Sequence, residues 1–465
     1  MRRLLSTTLA MSLLGLGTAG CSDFLSDEDV AQNPNNPTAA TRDALFVGVQ
    51  AGQFGVQEAG LAQIAGQFTQ QITGVQRFSQ QRTQYGFIDT DYNADWAQIY
   101  GGGGLKEIRE VRASATADGD RVYAGIAKVW EAFIMGTTAS IWGDIPYREA
   151  GPDNPTPALD PQLQVYDDLQ ALLTEALADL ASGEGLGPGT NDLVFAGDVT
   201  KWTETANTLR ARFYLHTAEV RGTPAYEGAL AAATAGISTP DNDFTAYHSQ
   251  ANLEQNFWWQ FHDLSGFGVD IVAGRFLADL MVARNDPRLA EYFGPSDPGP
   301  YGGASPQGDE SPTGVSFLEG TRNDPNFRQP LITWAENQMI LAEANFVLNG
   351  ASAAQPFVDA LRASVGLPST PVTSLNTIME EKYIALFQNI EVWNDYKRTC
   401  YPPIVPFSTV QFNNQVPGRV FYAQGEQNAN SAHVPDVATQ LQIGGSAVSG
   451  GITGFRNPND PNPCP

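Results

Sequence analysis

Apolar residues recur every three or four positions through long stretches of the chain, which restricts those stretches to helices that bury one face. The clearest is 121–142, where Val122, Ile126, Val129, Trp130, Phe133, Ile134, Thr137 and Ile141 share a face. In 57–73, Leu61, Ile64, Ala65, Phe68 and Ile72 do the same. A half-buried strand would alternate with period two; this i, i+3, i+4 spacing follows the turn of an α-helix. Similar periodicity predicts helices over 162–182, 199–221, 270–284, 331–348, 354–364 and 375–397. Strand signals are sparse. Residues 294–330, with Pro295, Pro298, Pro300 and Pro306 among glycines, read as a long loop, and 400–465 as mostly irregular. Loops of that length in a compact protein usually carry function or face a ligand.

The N-terminus reads as an export signal. Arg2 and Arg3 form a basic leader, Leu4 to Leu16 an apolar run, and Thr18-Ala19-Gly20 precede Cys21. Small residues before the cut suit a signal peptidase, and a cysteine at the cut offers a thiol for lipid. The segment resembles a bacterial lipobox, with Thr18 where leucine is more usual. Residues 1–20 are therefore expected to be removed and Cys21 acylated; the alternative is an ordinary secretory signal with a chance cysteine. A membrane span needs about 20 apolar residues, and no stretch of the chain supplies them. Residues 15–20 spell G-x-G-x-x-G, but no strand precedes them, so a nucleotide-binding reading fails. Residues 21–44, with Asn33-Pro34-Asn35-Asn36-Pro37, read as an anchored tether and lead-in, because X-Pro disfavours helix. The globular part is then 45–465.

With 26 basic and 51 acidic residues the net charge is −25, a surface that repels phosphate backbones and argues against nucleic acid. Of the 3 cysteines, acylation would consume Cys21. Cys400 and Cys464 remain, an even pair in an oxidising compartment, and are expected to form a disulfide that staples the tail; two free thiols are the alternative.

Catalytic spellings such as G-x-S-x-G and H-E-x-x-H are missing. The histidines, His216, His248, His262 and His433, are scattered without a metal-ligand spacing and read as structural or surface groups. Asp89-Thr90-Asp91-Tyr92-Asn93-Ala94-Asp95 places oxygens at alternate positions, as calcium loops do, but Ala94 replaces the needed glycine and Tyr100 the bidentate glutamate. A helix N-terminus capped by Asn93 or Asp95 fits better. Neither a metal nor a cofactor is expected. Glu380, Glu381, Glu391 and Asp395, with Lys382, Lys397 and Arg398 nearby in spacing, read as ion pairs that orient one helix, and Glu343 and Arg210 as structural.

Several segments together resemble one family. Residues 125–150, GIAKVWEAFIMGTTASIWGDIPYREA, look like the helix and "fGdvPy" turn of the SusD/RagB family of outer-membrane nutrient-binding lipoproteins. Residues 201–216, KWTETANTLRARFYLH, resemble its "W...An.lraRf.l" helix, and Gln338 to Ala344, QMILAEA, its "fi.AEA" helix. Ile378 to Arg398 resembles "i..qKyialf...E.w.d.rR", and Val416 to Asn430 the closing "iPrRl.YP.sEq..N" of the SusD-like branch. They occur in the family's order from about residue 40 to 430. Gly418 and Ala423 depart from the usual basic residue and proline, and the tail beyond 431 lacks the closing tryptophan pattern.

The resemblance implies a mostly α fold: a scaffold of four tetratricopeptide-like helix pairs with a loop-rich second half packed against it. It implies a lipid-anchored outer-membrane protein, facing the cell surface, that binds an oligosaccharide or peptide. Its implied partner is a SusC-like, TonB-dependent β-barrel transporter. It implies a binder, not an enzyme; the alternative is a surface glycoside hydrolase on a helical scaffold, and a third class is a purely structural surface protein. Sugar rings stack their C–H faces on aromatic side chains. The richest aromatic run, Phe244 to Phe267, therefore supplies the candidate ligand contacts Tyr247, Trp258, Trp259, Phe261 and His262, with Phe257 and Phe267 in the same run. Simple packing of the loop-rich half is the competing account of that run. Tyr85, Phe87 and Trp96 form a second candidate patch.

Overall fold

The chain enters the fold at Thr41, whose hydroxyl accepts from the Ala44 N–H at 3.2 Å and caps helix α1 (Arg42–Glu58). The structure, a computed structural model, describes residues 40–296, 299–308, 314–412, 414–446 and 464. The expected signal, Cys21 and most of the tether lie outside the described residues.

Helix α1 was not legible from apolar periodicity, because part of its buried stripe is written in glutamine. Gln50 and Gln53 are fully buried. Each uses its amide on a backbone carbonyl, Gln50 Nε2 to Asn191 O at 2.7 Å and Gln53 Nε2 to Gly103 O at 3.0 Å. A buried amide is tolerable only with such partners. The helix breaks at Ala59 (φ −92°, ψ −114°) and resumes as α2 (Gly60–Phe68). The expected helix over 57–73 is therefore two helices and a strand: Ile72 belongs to β1 (Ile72–Gly74), which pairs antiparallel with residues 271–273.

The remaining elements are α3 (Arg77–Thr83), α4 (Asn93–Tyr100), α5 (Leu105–Ala117), α6 (Arg121–Trp142), α7 (Gln162–Leu180), α8 (Val199–His216) and α9 (Thr223–Thr234). The loop-rich half adds β2 (Phe244–Thr245), β3 (Ile271–Ala273), α10 (Arg275–Arg284) and β4 (Pro330–Ile332). The chain then returns to the scaffold with α11 (Trp334–Asn349), α12 (Ala351–Ser364), α13 (Leu375–Ala385) and α14 (Glu391–Thr399). Strand β2 pairs antiparallel with β4.

The fold is mostly α. Each scaffold helix packs on its neighbour in order: α1 on α5, α5 on α6, α6 on α7, α7 on α8, α8 on α9, α9 on α11 and α11 on α12. That is a tetratricopeptide-like succession of helix pairs, interrupted by the loop-rich segment between α9 and α11. Helix α6 is its axis. Every residue from Val122 to Trp142 except Lys128 is buried, so the expected one-sided face is in fact a helix covered all round. Gly136 permits this, since a Cβ there would stand 2.1 Å from Cζ of Phe213 on α8.

Other expectations shift at their ends. Residues 271–273 and 330–332 are strands rather than helical starts, and 375–397 is divided into α13 and α14. Described parts of 294–330 wrap β3, with Ala273 N donating to Ser316 O at 2.8 Å and Ala304 N to Ala273 O at 2.9 Å. The expected irregular tail contains short helices, Gln424–Ala429 and Val437–Ser446. Cys464 lies against Cys400 in a disulfide, with Cα atoms 5.1 Å apart.

Candidate ligand-binding groove

The break at Ala59 opens a groove. Ala59, Gly60 and Gln63 form its floor, Phe78 and Arg82 of α3 one wall, and Phe257, Phe261 and Phe267 the other. Its volume is about 490 Å³, and Gln260, Leu264 and Ser265 complete the lining. That lining contains no Asp or Glu. Gly55 on α1 admits the second wall, because a Cβ there would meet Phe257 Cζ at 3.2 Å.

The walls meet through their rings. Phe78 lies edge-on to Phe261 (6.2 Å, 85°) and to Phe267 (5.3 Å, 83°), and Phe261 and Phe267 are tilted at 5.7 Å. Arg82 places its guanidinium carbon 5.2 Å over Phe78, and Arg77 4.8 Å over Phe267. Arg77 also binds the buried carboxylate of Asp270, with Nε donating to Oδ2 at 2.7 Å. Beneath the groove His248 packs edge-on to Phe257 at 6.0 Å. Its Nε2 lies 2.6 Å from Oε1 of fully buried Glu58. Burial raises the Glu58 carboxyl above its usual range, and the bond and charge of His248 only partly oppose this.

The candidate residues separate into distinct environments. Asn256 starts a short helix by accepting from Trp258 N at 2.9 Å and Trp259 N at 3.2 Å, and residues 260–264 continue as a wider π turn. This sends Trp258 inward, 2% exposed, onto a small cavity of about 10 Å³ shared with Ile72, Phe293 and Leu318. Trp258 thus has no face open to a ligand. Trp259 is half-buried outside the groove lining. Phe261 lines both the groove and the small cavity; His262 lines only the cavity, with Nδ1 3.3 Å from Asp263 Oδ2. Tyr247, 40% exposed, lies under Arg328 at 5.4 Å, outside the groove lining.

Phe78, Arg82 and Gln63 were absent from the sequence candidates. They belong to elements far from the aromatic run in the chain, and a lone Phe78 among polar neighbours is the only local signal. Of the second patch, Tyr85 and Phe87 are core residues, 2% exposed each. Trp96 is also buried and borders a separate pocket of about 210 Å³ with Tyr100 and Pro146, its Nε1 donating to Glu426 Oε2 at 3.2 Å.

The Asp89–Asp95 segment is a turn leading into α4, and no metal-holding group of His, Cys, Asp or Glu occurs among the described residues. Neither expected residue caps α4. Asn93 is its first residue and accepts instead from Gly425 N at 3.0 Å. Asp95 is largely buried, which pushes its carboxyl up to about 6.

The acids expected to be structural form ion pairs within α14 and between it and other helices. Lys382 Nζ meets Asp395 Oδ1 at 2.9 Å, Arg398 Nη2 meets Asp395 Oδ1 at 2.6 Å and Glu343 Oε2 at 2.7 Å, and His216 Nε2 meets Glu391 Oε2 at 2.7 Å. Burial alone would raise Glu391, but His216 and Arg212 outweigh it and hold the carboxyl well below its usual range.

The same architecture occurs in solved structures. A chitin-binding protein superposes with a TM-score of 0.75 at 21% identity, covering 91% of this chain and 100% of that one. A chitin-binding SusD homologue from Flavobacterium johnsoniae gives 0.72 at 21% identity, covering 90% and 99%. A SusD-like protein from Bacteroides thetaiotaomicron gives 0.70 at 20% identity, covering 85% and 95%. At such identities the likeness establishes the fold. No curated protein matches the chain in sequence. The family model described as SusD-like, starch-binding associating with outer membrane, matches residues 34–423. On that match, which spans most of the sequence and contains the groove, the chain belongs to the SusD-like family.

Proposed function

We propose that the protein is a cell-surface lipoprotein that captures a glycan in the Phe78–Phe261–Phe267 groove and passes it to a SusC-like, TonB-dependent β-barrel transporter. The observation that carries this reading is the groove itself: ring-walled, about 490 Å³, and free of carboxylates. Phenylalanine faces suit the C–H faces of sugar rings, while Gln63, Gln260 and Arg82 offer hydrogen bonds to hydroxyls. Hydrolysis of a glycosidic bond needs a pair of carboxyl groups flanking it, and the lining supplies neither, which supports binding without cleavage. The chitin-binding neighbours support a carbohydrate over a peptide ligand. Within the aromatic run, Phe261 is the proposed contact, joined by Phe257 and Phe267. Tyr247 and Trp259 are proposed as outer contacts beyond the lining, and Trp258 and His262 to support the wall from the small cavity behind it.

No helix among the described residues is long and apolar enough to cross a membrane. Lipid on Cys21 is the proposed anchor, with the residues after it as a tether. Pull-down of the tagged protein from native membranes tests the partner: co-purification of a large β-barrel is expected, and its repeated absence refutes delivery. Binding to a glycan array, lost in Phe78→Ala and Phe261→Ala variants that still fold, tests the groove. Binding unchanged in both removes the groove from the site.

A further inference from the structure

Two arginines lie on phenylalanines of the groove, and only one of them is ion-paired with a described residue. Arg77, over Phe267, is ion-paired with Asp270. Arg82, over Phe78, lines the groove and forms no hydrogen bond or ion pair through its guanidinium with any described residue. Asp95 feels the field of Arg82 but makes no ion pair with it. Across the floor Gln63, 5% exposed, likewise makes no side-chain hydrogen bond to a described residue. A guanidinium resting on a ring face is held flat by the ring quadrupole. That contact consumes none of its N–H donors, whose planar fork matches a carboxylate or sulfate bidentately.

Building on the glycan-binding reading above, we infer that Arg82 reads an anionic group, so that the groove selects glycans whose rings carry a carboxylate or a sulfate ester. The ring would lie against Phe78 and Phe261, its anionic substituent on Arg82 and a hydroxyl on Gln63. The net charge of −25 opposes an anion at long range, but salt screens that field over about 8 Å at physiological strength. Among the residues that line the groove the one charged side chain is Arg82.

Isothermal titration of the purified protein decides this with matched probes: trigalacturonate, a sulfated carrageenan oligosaccharide, neutral galactotriose and neutral chitotriose. Tighter binding of an acidic probe than of galactotriose is expected. Arg82→Gln should weaken acidic binding about tenfold, the loss of one charge-assisted contact, and weaken neutral binding by less, so that the acidic preference disappears. Arg82→Lys should retain part of the preference, and melting curves of both variants confirm that they fold. Response to trigalacturonate alone assigns a carboxylate, and to the carrageenan fragment alone a sulfate; either supports the inference. Equal affinity for neutral and acidic probes, or an Arg82→Gln variant that keeps the acidic preference, overturns it while leaving glycan binding intact. If no glycan binds but a peptide ending in phenylalanine does, the glycan reading itself falls.

Discussion

Arg212 on α8 and Glu336 on α11 are joined by two parallel bonds, Nε to Oε1 and Nη2 to Oε2, each 2.6 Å long, with side chains only 4% and 0% exposed. The pair spans the point where the chain returns to the helix scaffold after its loop-rich excursion. Arg212 also lies 3.7 Å from Glu391 on α14, so the bridge ties three helices that are distant in sequence. Removing one member of such a pair leaves a buried charge uncompensated, whereas replacing both by apolar groups does not. Arg212→Met is therefore expected to cost about 3–5 kcal/mol. The double variant Arg212→Met/Glu336→Leu should recover part of that loss, because buried Glu391 loses Arg212 in both and, among the described residues, keeps only His216 as a close ion-pair partner. Urea unfolding midpoints of the three proteins check this; equal losses in single and double variants would contradict it.

Stability should fall between about pH 4 and pH 7 through Asp243. Burial pushes this carboxyl up to about 7, although it accepts from Trp334 N at 2.6 Å. A carboxyl whose folded value lies above its unfolded one binds more protons when folded, so the fold loses stability as pH rises through that window. Asp243→Asn keeps an acceptor for Trp334 without the charge. Its melting temperature should exceed that of the parent above pH 7, by an amount equivalent to on the order of 1 kcal/mol, and converge toward it near pH 4. Glu391 acts in the opposite sense. Its depressed value means that its contribution, present above the unfolded value, disappears as pH falls through the folded one.

Trp258 and Phe261, three residues apart, should fail differently. Trp258→Ala empties a site that is 2% exposed and is expected to cost about 3–5 kcal/mol of stability. Phe261→Ala removes a ring that faces the groove, and is expected to weaken glycan binding with a smaller loss of stability. Melting curves and titrations on both variants separate the roles. A Trp258→Ala protein as stable as its parent would contradict the inward placement.

The Cys400–Cys464 bridge closes a separation of 64 residues. Restricting the unfolded chain over a loop of that length is worth about 4 kcal/mol in the chain-entropy model. Cys464→Ser should lower the unfolding free energy by about 2–4 kcal/mol, and reductant should have little further effect on that variant. Mass spectrometry of unreduced peptides checks the pairing directly; alkylation of both thiols without prior reduction would refute it.

The central scaffold was legible because its helices write their burial in apolar letters: the stripe from Val122 to Ile141 gave α6 to the residue, and the segment around Trp202 gave α8. Helix α1 was not, because Gln50 and Gln53 are satisfied by carbonyls of Asn191 and Gly103, partners that no local pattern reveals. Aromatic density located one wall of the groove but not which rings face it. The turn begun by Asn256 directs Trp258 inward and leaves Phe261 at the groove.

By itself, then, the sequence determined the helical class, the order of family-like segments and the acidic surface, all of which follow from side-chain chemistry along a local period. Only the tertiary structure decided the site. A groove exists where α1 breaks at Ala59 and two segments nearly two hundred residues apart bring their phenylalanines into contact. Such contacts depend on how helices pack in space, which composition and spacing do not encode.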